Sequence, residues 1–223
     1  LIRFVSSHEV GHTLGLRHNM GASHATPVEK LRDKKWVEEH GHTASIMDYA
    51  RFNYVAQPED GISERGLFPR INDYDKWAIR WGYQYRPEFK DEMDEKEKLM
   101  DETTATLAKN TPRLWFGGEG RNEDPRAQTE DLGDDNVKAS DYGIKNLKRI
   151  VVALPEWTYQ KNDQYNDRIE MWKSVIGQFN RYTNHVLKNV GGRYLNNMPG
   201  QKPYEVAPAQ KGRDAVYYLA RQL

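Results

Sequence analysis

Ser7-His8-Glu9-Val10-Gly11-His12-Thr13-Leu14-Gly15-Leu16-Arg17-His18 is the stretch on which the fold turns. Residues 1–14 predict a helix: Leu1, Phe4 and Val5 stand near one another on one face, and no breaker comes before Gly11. On a helix, positions i and i+4 share a face, so His8 and His12 can hold one metal ion. Glu9 lies about 100° around that helix, badly placed as a third ligand but able to reach a water at the metal. Gly15 can take a positive φ and stop the helix, and the turn brings His18 back from another direction. Three imidazoles then fill three corners of a tetrahedron and leave the fourth open, the mark of a catalytic rather than a structural site. Composition alone would place three His and a Gly at these spacings in roughly 5 of ten thousand chains of this length.

The rest of the composition narrows the chemistry. There are 223 residues and no cysteine, with 33 Lys+Arg against 33 Asp+Glu. Without cysteine there is no disulfide scaffold, no thiol nucleophile and no sulfur ligand for a metal. Balanced charge argues against a nucleic-acid binder held by bulk electrostatics. No run of about 18 apolar residues spans a membrane. The chain starts at Leu1 rather than Met, so it is expected to be a piece of a longer protein.

Outward from the motif, residues 30–39 suggest a short charged helix and residues 45–54 a compact turn. Residues 71–83 predict a helix capped at Asn72 or Asp73 and ended by Gly82. Residues 88–102 hold Asp91, Glu92, Asp94 and Glu95 among lysines; without a D-x-D-x-D-G loop this is a solvated face rather than a calcium site. Residues 110–135 read as a loop docked by Leu114, Trp115 and Phe116. The last third reads as helical and self-packing: Ile144 to Leu154 ended by Pro155, a stripe from Ile169 through Trp172 and Phe179 to Val190 taken as core, and a final helix after Pro208. His40 and His42 read as solvated loop residues, and His24 and His185 carry no assignment.

The eleven-residue pattern resembles the metzincin signature, and Ser45-Ile46-Met47-Asp48-Tyr49 is similar to the Met-turn of the astacin and serralysin branches. The resemblance implies Zn2+ on His8, His12 and His18, with Gly15 supporting the site. Met47 would be its hydrophobic base, and Tyr49 a group that ligates zinc or stabilises an oxyanion. The residues alone also allow Met47 to be plain core packing and Tyr49 a hydrogen-bonded turn residue. The helix near 73–81 matches the place of the last catalytic-domain helix in metzincins. Residues 131–158 resemble the C-terminal region of large bacterial, Bacteroidetes-type zinc-dependent metalloproteases. Asn19 follows His18 where several branches carry Asp, Glu or Pro, so it assigns no familiar branch.

The implied parent is an α+β catalytic domain whose mixed sheet precedes Leu1, while the chain itself is expected to be mostly α. Three parts follow: residues 1–85 as the zinc-binding half of the catalytic domain, 86–134 as a charged and loop-rich connector, and 135–223 as a helical region. The expected activity is hydrolysis of peptide bonds by metal-activated water, with Glu9 as general base. The competing readings are a metal-binding scaffold without turnover and a zinc hydrolase of non-peptide amides or esters. The expected partners are a peptide or protein substrate and the upstream part of the parent protein, with no nucleic acid and no membrane span. By itself the piece is expected to be poorly active, because the strand that aligns substrate is upstream. The resemblance further implies export from a bacterial cell.

Overall fold

The computed structural model describes residues 2–109, 111–120, 123–162, 164–197 and 200–222. Helix α1 (Ile2–Thr13) forms as its spacing predicts, and Leu1 lies outside the described residues. Its buried residues are Phe4, His8 and Gly11, one narrow stripe at helical spacing. Val5, expected on the packed face, is exposed, as are Ile2 and Val10. The helix is an edge element covered along one side.

Gly15 ends it at φ +81. The Leu16 amide donates to the Gly11 carbonyl at 3.0 Å and the Gly15 amide to the His12 carbonyl at 2.9 Å, the paired bonds of a Schellman stop. Two 3-10 turns follow, Ala22–Ala25 and Val28–Leu31, then helix α2 (Lys34–His40). The single helix expected over 30–39 is therefore split. Asp33 breaks it, because its side chain accepts from the Trp36 amide at 3.1 Å and starts a new helix there.

Residues 45–54 make the expected turn, and a 3-10 turn at Pro58–Asp60 and the short helix α3 (Glu64–Leu67) lead to helix α4 (Asp73–Tyr83). Asn72 caps α4 in a reciprocal capping box with Asp75. Gly82 lies inside α4 rather than ending it, and the chain leaves the helix at Gln84 with extended backbone. Helix α5 (Glu92–Ala108) is capped by Asp91, runs past the expected boundary, and buries only Leu99. It is the solvated face its charges predict.

Helices α6 (Asn136–Trp157), α7 (Asn166–Leu187) and α8 (Ala209–Gln222) pack together as expected. Pro155 does not stop α6 but sits in its last turn, where the missing N–H leaves one carbonyl without an intrahelical donor. Gly143 on α6 allows close approach of α7: a Cβ there would stand 2.6 Å from the Tyr182 ring. The α7 stripe is only half core. Tyr182, His185 and Val186 are buried, but Ile169, Trp172 and Ile176 are nearly half exposed, because the first half of α7 reaches past the elements that cover its end. Between α7 and α8 a hairpin forms that the helical reading of this region lacks. Strands β1 (Arg193–Leu195) and β2 (Tyr204–Val206) pair antiparallel, with Tyr194 opposite Glu205. Three-residue strands are too short to show a period of two.

Among the described residues the chain is thus mostly α with one two-stranded sheet, and no helix is long and apolar enough to cross a membrane. The main apolar cluster joins Val28, Leu31, Tyr54 and Val55 to Leu132, Ile144, Leu147, Tyr182 and Val186. A smaller one, Phe4, Ile46 and Met47 with Leu16 against it, lies under the histidines.

Candidate metal centre

His8 and His12 point from one face of α1, and the stop at Gly15 returns His18 to them. One potential ligand atom from each of the three lies within 4.8 Å of the others. The His12 and His18 Nε2 atoms are 3.1 Å apart. No side chain lies within 4 Å of a Cβ built on Gly15, so its positive φ is the reason for glycine there.

The tautomers of two rings follow from their partners. His8 Nδ1 donates to the Ile46 carbonyl at 2.8 Å and His12 Nδ1 to the Leu16 carbonyl at 2.9 Å. A carbonyl only accepts, so Nδ1 carries the proton in each neutral ring and Nε2 presents a lone pair inward. His8 Nε2 is buried and has no hydrogen-bond partner. A buried nitrogen lone pair aimed at two other imidazoles is costly unless a cation sits among them. Nitrogen donors of this number and type suit Zn2+, with carbonyls fixing the rings as outer partners commonly do. Burial lowers the His18 pKa, and the neighbouring His12 and His8 lower it further against the opposing pull of Glu119 and Glu9.

Tyr49 stands beside two of the rings, with centroids 5.2 Å from His8 and 4.7 Å from His18. Met47 is fully buried, and Gly11 lies directly over it: a Cβ on Gly11 would overlap the Met47 sulfur. A residue between the two helical histidines is therefore glycine to seat the methionine. Glycine inside a helix costs about 1 kcal/mol against alanine, which was the sequence signal for this contact. Glu9 is exposed on α1.

A family model described as Met-zincin matches residues 1–223. The chain belongs to the Met-zincin family. No curated protein and no solved structure matches it. Membership of the family carries a zinc metallopeptidase character at the level of the family.

In this Met-zincin the methionine turn is held by an acid from α4 that the sequence did not single out. Asp75 accepts from the Ser45 hydroxyl at 2.6 Å, the Ile46 amide at 2.8 Å and the Asn72 amide at 2.8 Å. Asn72 in turn donates to the His40 and Thr43 carbonyls at 2.6 and 2.8 Å. The cap of α4 and the clamp of the turn are thus one device. Asp48, between Met47 and Tyr49, turns away from the histidines and accepts from the Ser23 amide at 2.7 Å and the Thr43 hydroxyl at 3.1 Å. Burial pushes its pKa up to about 7.

The remaining histidines are elsewhere. His42 is completely buried rather than solvated, and burial lowers its pKa to about 4. His40 stacks on Trp36 with ring centroids 4.6 Å apart and bonds to the Trp36 carbonyl. The two do not form a second metal site, because the turn at Gly41 separates a stacked surface ring from a core ring. His185, on α7, is buried and bonds to the Thr129 carbonyl at 3.0 Å.

Proposed function

We propose that this Met-zincin hydrolyses peptide bonds with Zn2+ held by His8, His12 and His18. The observation that carries the reading is the fixed pair of tautomers: His8 and His12 each spend Nδ1–H on a backbone carbonyl, leaving both Nε2 lone pairs directed at His18. Zinc in such a cluster supplies Lewis acidity toward the scissile carbonyl and toward water.

The chain's own residues then divide the work. The Ile46 and Leu16 carbonyls stop the two helical imidazoles from rotating, so the ligands are set before the metal arrives. Glu9, one step around α1 from His8, has a carboxylate free to take a proton from attacking water and pass it to the departing amine. The Tyr49 ring flanks His8 and His18, and its hydroxyl is the donor available for negative charge developing on the carbonyl oxygen. Met47, seated under Gly11, supports the histidines as a rigid apolar base.

The test compares the zinc-loaded protein, joined to the upstream part expected from its sequence, with the Glu9→Gln variant of the same protein on a peptide library. Hydrolysis is expected to fall about 100-fold or more with zinc content unchanged. Undiminished hydrolysis in Glu9→Gln overturns the role of Glu9. Zinc binding without hydrolysis by the unaltered protein favours the scaffold reading, and turnover confined to small amides or esters favours the other hydrolase reading.

A further inference from the structure

The three histidines are not held alike. His8 and His12 are each fixed by a ring hydrogen bond to a backbone carbonyl, whereas among the described residues the His18 ring has no such bond: its Nε2 meets His12 Nε2, and it packs against the His8 and Tyr49 rings with centroids 5.2 and 4.7 Å away. Its backbone is what is fixed. The Arg17 guanidinium pairs with Glu119 at 3.2 Å. The Asn19 side chain donates to the Trp115 carbonyl at 2.9 Å and accepts from the Gly117 amide at 2.9 Å. The Met20 amide donates to the Gly118 carbonyl at 2.9 Å. Residues on both sides of His18 are therefore bonded to one short segment, 115–119, which lies about a hundred positions away in sequence.

Asn19 is the centre of this arrangement. It is completely buried, and its own amide donates to the Met47 carbonyl at 3.1 Å. One residue thus joins the third histidine, the methionine turn and the distant segment. The segment approaches closely enough to exclude side chains: a Cβ on Gly117 would stand 2.6 Å from the Gly21 Cα. The Trp115 ring is held from outside by the Arg126 guanidinium, 4.7 Å from its centroid.

We infer that Asn19 is a positioning residue for the metal centre. It fixes His18 by clamping the backbone to residues 115–117, in place of the ring hydrogen bond that fixes each of the other two histidines. The inference rests on the zinc reading above, and it assigns segment 115–119 a part in the site. An aspartate at 19 would keep the acceptor for Gly117 and place a negative oxygen against the Trp115 carbonyl. Asparagine satisfies both sides because it carries one donor and one acceptor end.

The experiment measures Zn2+ affinity by chelator competition, and the visible spectrum with Co2+ in place of zinc, for the full chain and three variants. Asn19→Ala removes both side-chain bonds. Gly117→Ala pushes the segment away from Gly21 without altering residues 8–19. Ser140→Ala removes a buried bond from α6 to the Tyr182 carbonyl, remote from the histidines, and serves as a control for lost stability. Asn19→Ala and Gly117→Ala are expected to weaken Zn2+ binding about 10- to 100-fold and to change the Co2+ spectrum. Ser140→Ala is expected to lower the urea midpoint and leave both metal readouts unchanged. If Asn19→Ala, or Gly117→Ala where Asn19→Ala does not fold, binds both metals as the unaltered chain does, the positioning role is overturned and the contact is structural only. Failure of the unaltered chain to bind Zn2+ or Co2+ overturns the metal reading itself, a distinct result.

Discussion

The histidine end of the molecule and the α6–α8 end meet the cost of ordering in different ways. Under the histidines the apolar support is small, Phe4, Ile46 and Met47, and it is joined by directional bonds involving Asp75, Asn72, Asp48 and Asn19. Around Tyr182 the apolar support is larger, with Leu132, Ala139, Ile144, Leu147, Val186, Ala215 and Tyr218 in one cluster, and buried bonds such as Ser140 to the Tyr182 carbonyl and Asn136 to Asp131 lie beside it. Apolar burial is strong but indifferent to direction, so it stabilises without fixing an angle. Hydrogen bonds contribute less each, but an unmade one in a buried site is costly, so they select a single geometry. A centre that must hold three nitrogens within a few ångströms of a common point uses the second kind of force.

That contrast can be broken by mutation. The largest effect is expected from Tyr182→Ala, which empties the apolar cluster and should lower stability by about 3–5 kcal/mol in urea unfolding. Zinc affinity of the folded molecules should change less than about twofold, because the site is remote from the cavity. A parallel loss of metal affinity would show that the two ends are one mechanical unit. Asp75→Ala is expected to cost about 2–3 kcal/mol by leaving the Ile46 and Asn72 amides buried without an acceptor. Here the metal affinity should fall as well, because the Ile46 carbonyl orients His8.

The third test uses pH on the apolar end. Burial lowers the His185 pKa from 6.5 to about 4. Asp131, Glu130, Arg181 and Lys188 face it, with Asp131 3.7 Å from Nδ1. Its folded pKa is below its unfolded value, so its contribution is present above pH 6.5 and is lost as pH falls toward 4. His185→Gln keeps a donor for the Thr129 carbonyl but does not titrate. The stability advantage of the unaltered chain over His185→Gln should shrink by about 2 kcal/mol between pH 7 and pH 5. A difference that stays constant across this range would mean that His185 ionises without cost in place. The smallest effect is expected from Gly15→Ala, about 1 kcal/mol for an L-residue at φ +81, since no atom obstructs its Cβ. Its larger consequence should be on metal affinity, through the path of the chain to His18.

Much of the histidine end was legible because it is local. His8 and His12 share a face by helix geometry, and Gly15 with His18 needs only one turn beyond it. Met47 was legible from its turn pattern, and the cap at Asn72 from residue type. The clamp at Asp75 was not, because a carboxylate at the third position of a helix reads as its own capping box and gives no sign of a turn about thirty residues earlier. Asn19 read only as a departure from familiar branches, since its partners lie at 115 and 117. The half-exposed stripe of α7 departs from its sequence pattern for a related reason: periodicity tells which residues share a face, not how far the covering elements reach.

The sequence by itself determined which three histidines come together, the helix that carries two of them and the turn that returns the third. These depend on i, i+4 geometry and on the conformational freedom of one glycine. Only the tertiary structure decided what holds them at the required distance and angle. Those partners are the Ile46 carbonyl, the Asp75 carboxylate, the seat of Met47 under Gly11, and the bonds of Asn19 to segment 115–117. Each is a contact between residues distant in the chain, and no local spacing encodes a hydrogen bond whose donor and acceptor are brought together only when the whole chain packs.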